Sequence, residues 1–186
     1  MKKMIFYILL LIVVLTTVFF IHESNQFKNY TSSQNINTPD EMNIPINKDA
    51  PVISQSEIII DAPIEKVWQI LTNINDWPAW QKEVTESTLK EVVSEGVEFK
   101  WKAGGLSFTS QIHTMDSKKK FGWTGKTFGA SAIHNWFFSD DDDKTIVRVE
   151  ESLQGVFPRM FKGYFQKNLD NGVNQNLMDL KTAAEK

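Results

Sequence analysis

The fold is decided by residues 158–186, which read PRMFKGYFQKNLDNGVNQNLMDLKTAAEK. Apolar side chains in this stretch step by four, four, four, four, three and four along Phe161, Phe165, Leu169, Val173, Leu177, Leu180 and Ala184. This period predicts one long helix with a single apolar stripe. Pro158 suits the first turn of a helix, so the predicted helix begins there. A helix with one apolar stripe must bury it against a second layer.

Residues 84–154 predict that second layer, a sheet. Val97, Phe99 and Trp101 alternate with charged residues, a period of two that is typical of a strand with one wet face. Comparable patterns predict strands at residues 84–91, 97–102, 106–115, 119–124, 129–139 and 145–154. Short turns join most of these strands, with a loop predicted at residues 125–128, and hairpin turns connect antiparallel neighbours. We therefore expect an antiparallel sheet.

A further strand and two short helices precede these strands. The β-branched run at residues 58–60 predicts a strand over residues 56–60. Pro63 then begins a helix, and a second short helix ends at Trp80. The sequence therefore predicts an α+β domain over residues 55–186, in which a curved antiparallel sheet of about seven strands wraps around the long C-terminal helix.

The N-terminus predicts a membrane anchor. Lys2 and Lys3 precede an apolar run of 18 residues from Met4 to Ile21. At about 1.5 Å per residue, this run spans most of a hydrocarbon core about 30 Å thick. The two lysines hold the N-terminus in the cytoplasm, so the rest of the chain is expected outside it, in the cell envelope. A cleaved signal peptide followed by secretion is the alternative, although the small residues of a cleavage site are missing near Ile21.

Residues 22–54 are predicted to be a flexible tether. The segment is rich in Asn, Ser and Thr, contains Pro39, Pro45 and Pro51, and shows no apolar period. A tether of this kind would keep the domain near the membrane without fixing its orientation.

Composition excludes several classes of protein. The net charge is −3 and no basic surplus follows the first three residues, so a nucleic-acid partner is not expected. The chain has no Cys, which removes disulfides, thiolate metal sites and a thiol nucleophile. The four aspartates at 140–143 lack the spacing of a calcium loop and are expected at a solvated hairpin tip. No metal or cofactor is expected, and the oligomeric state stays open.

One pair of polar residues is a candidate site. If the last hairpin turns around residues 140–143, His134 faces Val149 and Glu151 faces Ala132, which makes His134 and Glu151 diagonal neighbours on one face. The rest of that face is apolar, with Trp136, Phe138, Val147 and Leu153. Polar groups on an apolar face are costly unless paired. The two residues are therefore either an acid–base pair or a polar pair that satisfies itself or orients a ligand.

Large apolar side chains are candidates for lining a ligand cavity. We expect lining residues at Trp80, Phe99, Trp101, Trp123, Trp136, Phe161, Phe165 and Leu169, together with His134 and Glu151. The sequence does not separate cavity wall from plain core at these positions. Trp77 and Trp80, on either side of Pro78, form either a lid over the cavity or a plug in the core.

His113 is predicted to be unremarkable. It shares its strand face with Ser107, Thr109 and Gln111, which are all polar. We therefore expect His113 on the solvated side of the sheet.

Several motifs resemble one superfamily. Ala62-Pro63-x-x-x-Val67-Trp68 and Trp77-Pro78-x-Trp80 are similar to the first helices of the SRPBCC (START-like, helix-grip) superfamily, in its polyketide cyclase/dehydrase-like family. Ala132-Ile133-His134-x-Trp136-x-Phe138, Thr145-x-Val147 and Glu150-Glu151-Ser152-x-x-Gly155 are similar to its closing hairpin. The resemblance covers about residues 56–185 and implies a deep apolar cavity between sheet and long helix. Most polyketide cyclases of this family are cytoplasmic, so the anchor is a departure.

Three functions are consistent with these patterns, because this fold hosts many activities. The first is a membrane-tethered domain that binds an apolar small molecule or lipid. The second is a cyclase or dehydratase that uses His134 and Glu151 as acid and base. The third is an envelope interaction or stress protein without a bound ligand, whose cavity is filled by its own side chains. Few polar groups lie on the predicted inner face, which favours binding over catalysis.

Overall fold

The computed structural model describes residues 2–34 and 43–186. The helices are α1 (Lys2–Ser33), α2 (Ile64–Thr72), α3 (Trp77–Trp80), α4 (Val156–Met160) and α5 (Lys162–Ala184), with one 3-10 turn at Ile74–Asp76. The strands are β1 (Val52–Ile60), β2 (Val84–Thr88), β3 (Glu98–Ala103), β4 (Leu106–Asp116), β5 (Lys120–Thr127), β6 (Ala130–Asp141) and β7 (Lys144–Gln154).

The seven strands form one antiparallel sheet in the order β1-β7-β6-β5-β4-β3-β2. We call the face that packs against α5 the inner face and the opposite one the outer face. Strand alternation sends Phe121, Trp136 and Val149 to the inner face, where they join Leu177 and Leu180 of α5 in the core. The predicted helix-grip fold, with its α+β class and long C-terminal helix, is confirmed.

The β6–β7 hairpin is tighter than the sequence predicted. Its turn contains only Asp142 and Asp143, and Asp142 has a left-handed φ of 57°. Asp, more than most residues, tolerates that conformation, so the strands extend to Asp141 and Lys144. His134 therefore lies directly opposite Glu151, not opposite Val149 as predicted. The shift is two residues, so both side chains keep the predicted face.

The predicted helix from Pro158 is two helices. α4 ends at Met160 and α5 begins at Lys162, with Phe161 in a non-helical conformation between them. Phe157 of α4 packs so closely on Gly129 that a Cβ there would lie 2.4 Å from its ring. Because α4 is held against the β5–β6 turn and α5 must cross the inner face, the chain bends at Phe161. The prediction of a continuous helix was wrong at this residue.

Much of the predicted tether is structured. Helix α1 continues without a break to Ser33, and its buried Phe27 packs with Ile46 and Ile133 on the outer face of the sheet. We call residues 43–50, which lie on the same face, the strap. β1 begins at Val52, three residues before the predicted domain boundary. Residues 35–42 of the predicted tether lie outside the described residues.

The two ends of the sheet differ in what they carry. We call one the anchor end, which holds the β3–β4 turn, the β5–β6 turn, α4 and the start of α5. The other, the distal end, holds the β4–β5 turn, the β6–β7 turn and the end of α5. This division follows from the antiparallel order of the strands.

Candidate functional site

A cavity of about 240 Å³ lies between the inner face of the sheet and the first half of α5. Its wall is mainly aromatic, with Trp77, Trp101, Phe108, Trp123, Trp136 and Phe165. Helix α5 adds Leu169, Gly172 and Val173, and the polar lining residues are Gln81, Thr127, Ser131, His134, Glu151, Asn168 and Asn176. An apolar pocket with a few polar groups is the usual form of a small-molecule site.

His134 and Glu151 form a hydrogen-bonded pair in the wall of this cavity. His134 Nδ1 lies 2.7 Å from Glu151 Oε2, and the side chains are 8% and 14% exposed. Their close approach follows from the register, because directly opposite residues on one face of antiparallel strands are neighbours. Since a carboxylate only accepts hydrogen bonds, His134 Nδ1 donates the proton of this bond.

Two tryptophans fix the orientation of the His134 ring. The rings of Trp123 and His134 are stacked with centroids 4.5 Å apart, and those of His134 and Trp136 with centroids 5.5 Å apart. His134 Nε2 is buried and has no hydrogen-bond partner in the described part of the chain. In the neutral imidazole this nitrogen is an acceptor, and in the protonated form it is a donor.

The wall tryptophans differ in how their indole N–H groups are satisfied. Trp77 Nε1 donates to the Leu71 carbonyl at 2.8 Å, and Trp101 Nε1 donates to Ser110 Oγ at 3.0 Å. Trp136 Nε1 is buried and finds no partner among the described residues. An unpaired buried polar atom is costly, and the two residues that carry these atoms, His134 and Trp136, both line the cavity.

The structure brings seven of the ten predicted lining residues to the cavity. They are Trp101, Trp123, His134, Trp136, Glu151, Phe165 and Leu169. Phe99 is buried behind the wall against Trp77 and Trp123, and Trp80 packs against the same core. Phe161 lies at the break before α5 and is 53% exposed.

Sequence reasoning missed several residues of the wall. Trp77 lines the cavity, whereas its partner Trp80 does not. Asn168, Gly172 and Asn176 also line it, and they step by four along α5 beside the apolar stripe. A search for a second period-four row next to the stripe would have found them.

His113 lies on the outer face, as predicted, but it is covered instead of solvated. Its Nδ1 lies 2.8 Å from Thr114 Oγ1, and Asn43 of the strap donates to the His113 carbonyl at 2.5 Å. Its Nε2 is buried without a partner among the described residues. Burial lowers the pKa of His113 to about 3, and the Asn135 side chain opposes this shift weakly.

No three His, Asp or Glu side chains within residues 2–34 and 43–186 gather closely enough to hold a metal ion. The main chemical features of the cavity are its apolar wall and the His134–Glu151 pair.

The fold and the cavity define a helix-grip protein with an internal pocket. The sequence model of the family described as polyketide cyclase / dehydrase and lipid transport matches residues 51–185, and the chain belongs to that family. No curated protein matches the sequence.

Solved structures with the same fold come from several bacteria. A hypothetical protein of Helicobacter pylori is 17% identical with a TM-score of 0.69, and the match covers 80% of this chain and 99% of that one. A START superfamily protein of Mycobacterium smegmatis is 12% identical with a TM-score of 0.57, over 72% and 94% of the two chains. The di-domain ARO/CYC protein StfQ of the steffimycin biosynthetic pathway is 18% identical with a TM-score of 0.59, over 71% and 44%. At these identities the likeness shows the fold alone.

Helix α1 is long and apolar enough to cross a membrane, by length and composition. A signal sequence has the same properties, so the helix is a candidate for either role.

Proposed function

We propose that this protein is a membrane-anchored, extracytoplasmic binding protein for an apolar small molecule or lipid. The observation that carries the proposal is the aromatic cavity of about 240 Å³ with the unpaired His134 Nε2 in its wall. Burial of apolar ligand surface supplies the affinity, at about 25 cal/mol per Å². The hypothesis that side chains of the protein fill the cavity is disfavoured by this space.

The size of the cavity limits the ligand. Ligand pockets usually measure about 300–1,000 Å³, so a cavity of about 240 Å³ favours a single chain or a small ring system over a large polycycle. Leu106, the first residue of β4, lines the cavity and is itself 51% exposed, which allows a longer chain to extend outwards past it.

The polar groups of the wall favour a particular head group. Neutral His134 Nε2 accepts a hydrogen bond, and Trp136 Nε1 donates one. A hydroxyl or a protonated carboxyl group can do both. Glu151 holds His134 in the tautomer that leaves Nε2 free to accept.

Filling the cavity tests this proposal. Gly172 lines the cavity and a Cβ there meets no atom within 4 Å, so Gly172→Leu places its side chain in that space without a backbone clash. Gly163 lies on the same helix outside the cavity and also has open space around its Cβ position, so Gly163→Leu is the matched control. We expect a fluorescent long-chain alcohol to bind the wild type and Gly163→Leu, and to bind Gly172→Leu at least about tenfold more weakly. Equal binding by all three would contradict a cavity site.

An enzyme of the cyclase or dehydratase kind is the second candidate. The specific observation in its favour is the 2.7 Å His134–Glu151 contact beside a free Nε2, which is the arrangement of a general base held by a carboxylate. If the protein is such an enzyme, His134→Gln lowers turnover of an activated carbonyl substrate by about 10²–10⁴ while binding changes little. A change in affinity alone supports the binding protein.

A further inference from the structure

The anchor end of the sheet carries a group of exposed apolar side chains. Five residues there are between 51% and 79% exposed: Leu106, Phe128, Met160, Phe161 and Tyr164. They come from three separate segments, the β3–β4 turn, the β5–β6 turn and the region around the α4–α5 break. Outside α1, the other exposed large apolar residues of the described chain are Ile59, Val92 and Met178, which lie in three separate segments. Exposed apolar side chains grouped at one end mark an interaction surface more often than scattered ones do.

Helix α1 leaves the domain at this same end. The ring of Phe20 lies 5.6 Å from that of Phe128 and 5.8 Å from that of Phe157, between centroids. One turn further, Glu23 is buried and pairs with Arg159 of α4 at 2.8 Å. These contacts hold the last turn of the apolar run against the anchor end.

The position of these contacts fixes where a bilayer would lie. The apolar run of α1 ends at Ile21, one residue after Phe20, so the boundary of the hydrocarbon core falls close to Phe20. Phe128, which touches Phe20, lies at about the same depth. The four aspartates 140–143 lie at the distal end, away from anionic lipid head groups.

The lining of the cavity reaches this end as well. It includes Leu106 at the start of β4, Thr127 and Ala130 beside the β5–β6 turn, and Phe165 near the start of α5. These lining residues and the exposed apolar side chains therefore belong to the same parts of the chain.

We propose that the anchor end is a membrane-docking surface, whose exposed apolar side chains enter the head-group region of the bilayer so that the cavity opens directly onto lipid. The inference rests on the proposed role of α1 as a membrane anchor. In this arrangement an apolar ligand moves between bilayer and cavity without crossing water, and the rigid continuation of α1 keeps the opening in place.

Site-directed spin labelling of the full-length chain tests the surface. The protein contains no Cys, so each introduced Cys carries a unique label. Phe128→Cys, Met160→Cys and Tyr164→Cys probe the anchor end, and Ser117→Cys and Asp142→Cys are the matched exposed positions at the distal end. The protein is placed in nanodiscs of phosphatidylcholine and phosphatidylglycerol, and the accessibility of each label to oxygen and to a water-soluble nickel complex is measured.

We expect the three anchor-end labels to be accessible to oxygen and protected from nickel, and the two distal labels to show the reverse. Equal nickel accessibility at both ends, in protein that stays in the nanodisc, overturns the docking surface while the anchor and the cavity site stand. Protein that fails to enter the nanodisc overturns the anchor and the surface together. Binding of the fluorescent alcohol by the same labelled proteins reports on the cavity independently.

Discussion

Two histidines lie on opposite faces of the same sheet, and their surroundings differ. His134, on the inner face, is buried, stacks on two tryptophans and pairs with Glu151 at 2.7 Å. His113, on the outer face, lies under the strap with Thr114 and Asn135 as neighbours, and burial holds its pKa near 3. The first histidine lies beside a carboxylate in the wall of a cavity, and the second lies under the strap beside neutral side chains.

The difference shows that a histidine covered by the fold is suited either to contacting a ligand or only to filling space in the structure, depending on its partners. A carboxylate partner fixes one ring nitrogen of His134, and the other is buried without a partner among the described residues. Desolvation keeps the ring of His113 neutral, and the residues around it only cover the outer face of the sheet. The inner face belongs to the core of the domain, whereas residues N-terminal to the domain cover the outer face.

We expect residues of the inner face to contribute much more to the free energy of unfolding than residues that cover the outer face. Trp136 is 1% exposed, so Trp136→Ala should lower the free energy of unfolding by about 3–5 kcal/mol. Phe27 on the outer face is 3% exposed, but it belongs to α1, which can detach locally. We therefore expect Phe27→Ala to change the global value by about 1 kcal/mol or less. Urea unfolding measures both, and equal losses would contradict the distinction between the faces.

The pH dependence of the free energy of unfolding tests the surroundings of His113 on the outer face. The pKa of His113 is about 3 in the folded protein and near its ordinary value of 6.5 when unfolded. Between these values the unfolded chain binds the extra proton, so stability is full above pH 6.5 and falls as the pH drops towards 3. From pH 7 to pH 4.5 we expect the wild type to lose about 2 kcal/mol more than His113→Gln. Coincident pH profiles in urea unfolding would show that His113 is not held neutral by burial.

Ligand affinity should respond to one histidine and not the other. Replacing His134 by Gln removes the free acceptor and the ring stacked on the two tryptophans, and we expect about a tenfold loss of affinity for the fluorescent alcohol. His113→Gln is the matched control on the opposite face and should leave the affinity within about twofold. A loss in both variants would mean that the two faces are coupled.

The ion pair between Arg159 and Glu23 helps to hold α1 to the domain, and its loss should have only a local effect. Arg159→Gln removes the partner of buried Glu23, so residues 22–33 should exchange amide hydrogen faster. Arg148 pairs with Glu150 on β7 at 3.0 Å, and Arg148→Gln is the control that should leave this exchange unchanged. Global stability should change by about 1 kcal/mol or less in both variants. Unaltered exchange in Arg159→Gln would show that α1 is held by its aromatic contacts alone.

The parts of the fold that depend on local patterns could be predicted from the sequence. The apolar stripe of α5 and the alternation in β3 are signals within one element, and both elements are present. The register of the β6–β7 hairpin depends on turn type, and four consecutive aspartates fit a turn of two or of four residues. The face of His134 was nevertheless right, because a shift of two residues preserves the alternation.

The remaining features depend on contacts between distant segments. Ile46 of the strap and Phe27 of α1 lie in segments composed mainly of polar residues, so no period indicated that they cover Ile133. Phe99 and Trp101 alternate on one strand face, yet Phe99 is core and Trp101 is cavity wall. That division is set by how α3 and α5 pack above the sheet, which a strand pattern does not contain.

Native mass spectrometry of the full-length protein, purified from its own host and extracted with organic solvent, shows whether the cavity holds a ligand. We expect a discrete apolar molecule that carries a hydroxyl or carboxyl group, retained by the wild type and by Gly163→Leu and absent from Gly172→Leu. A wild type that retains no molecule, or three proteins that retain the same one equally, would contradict a ligand held in the cavity between the sheet and α5.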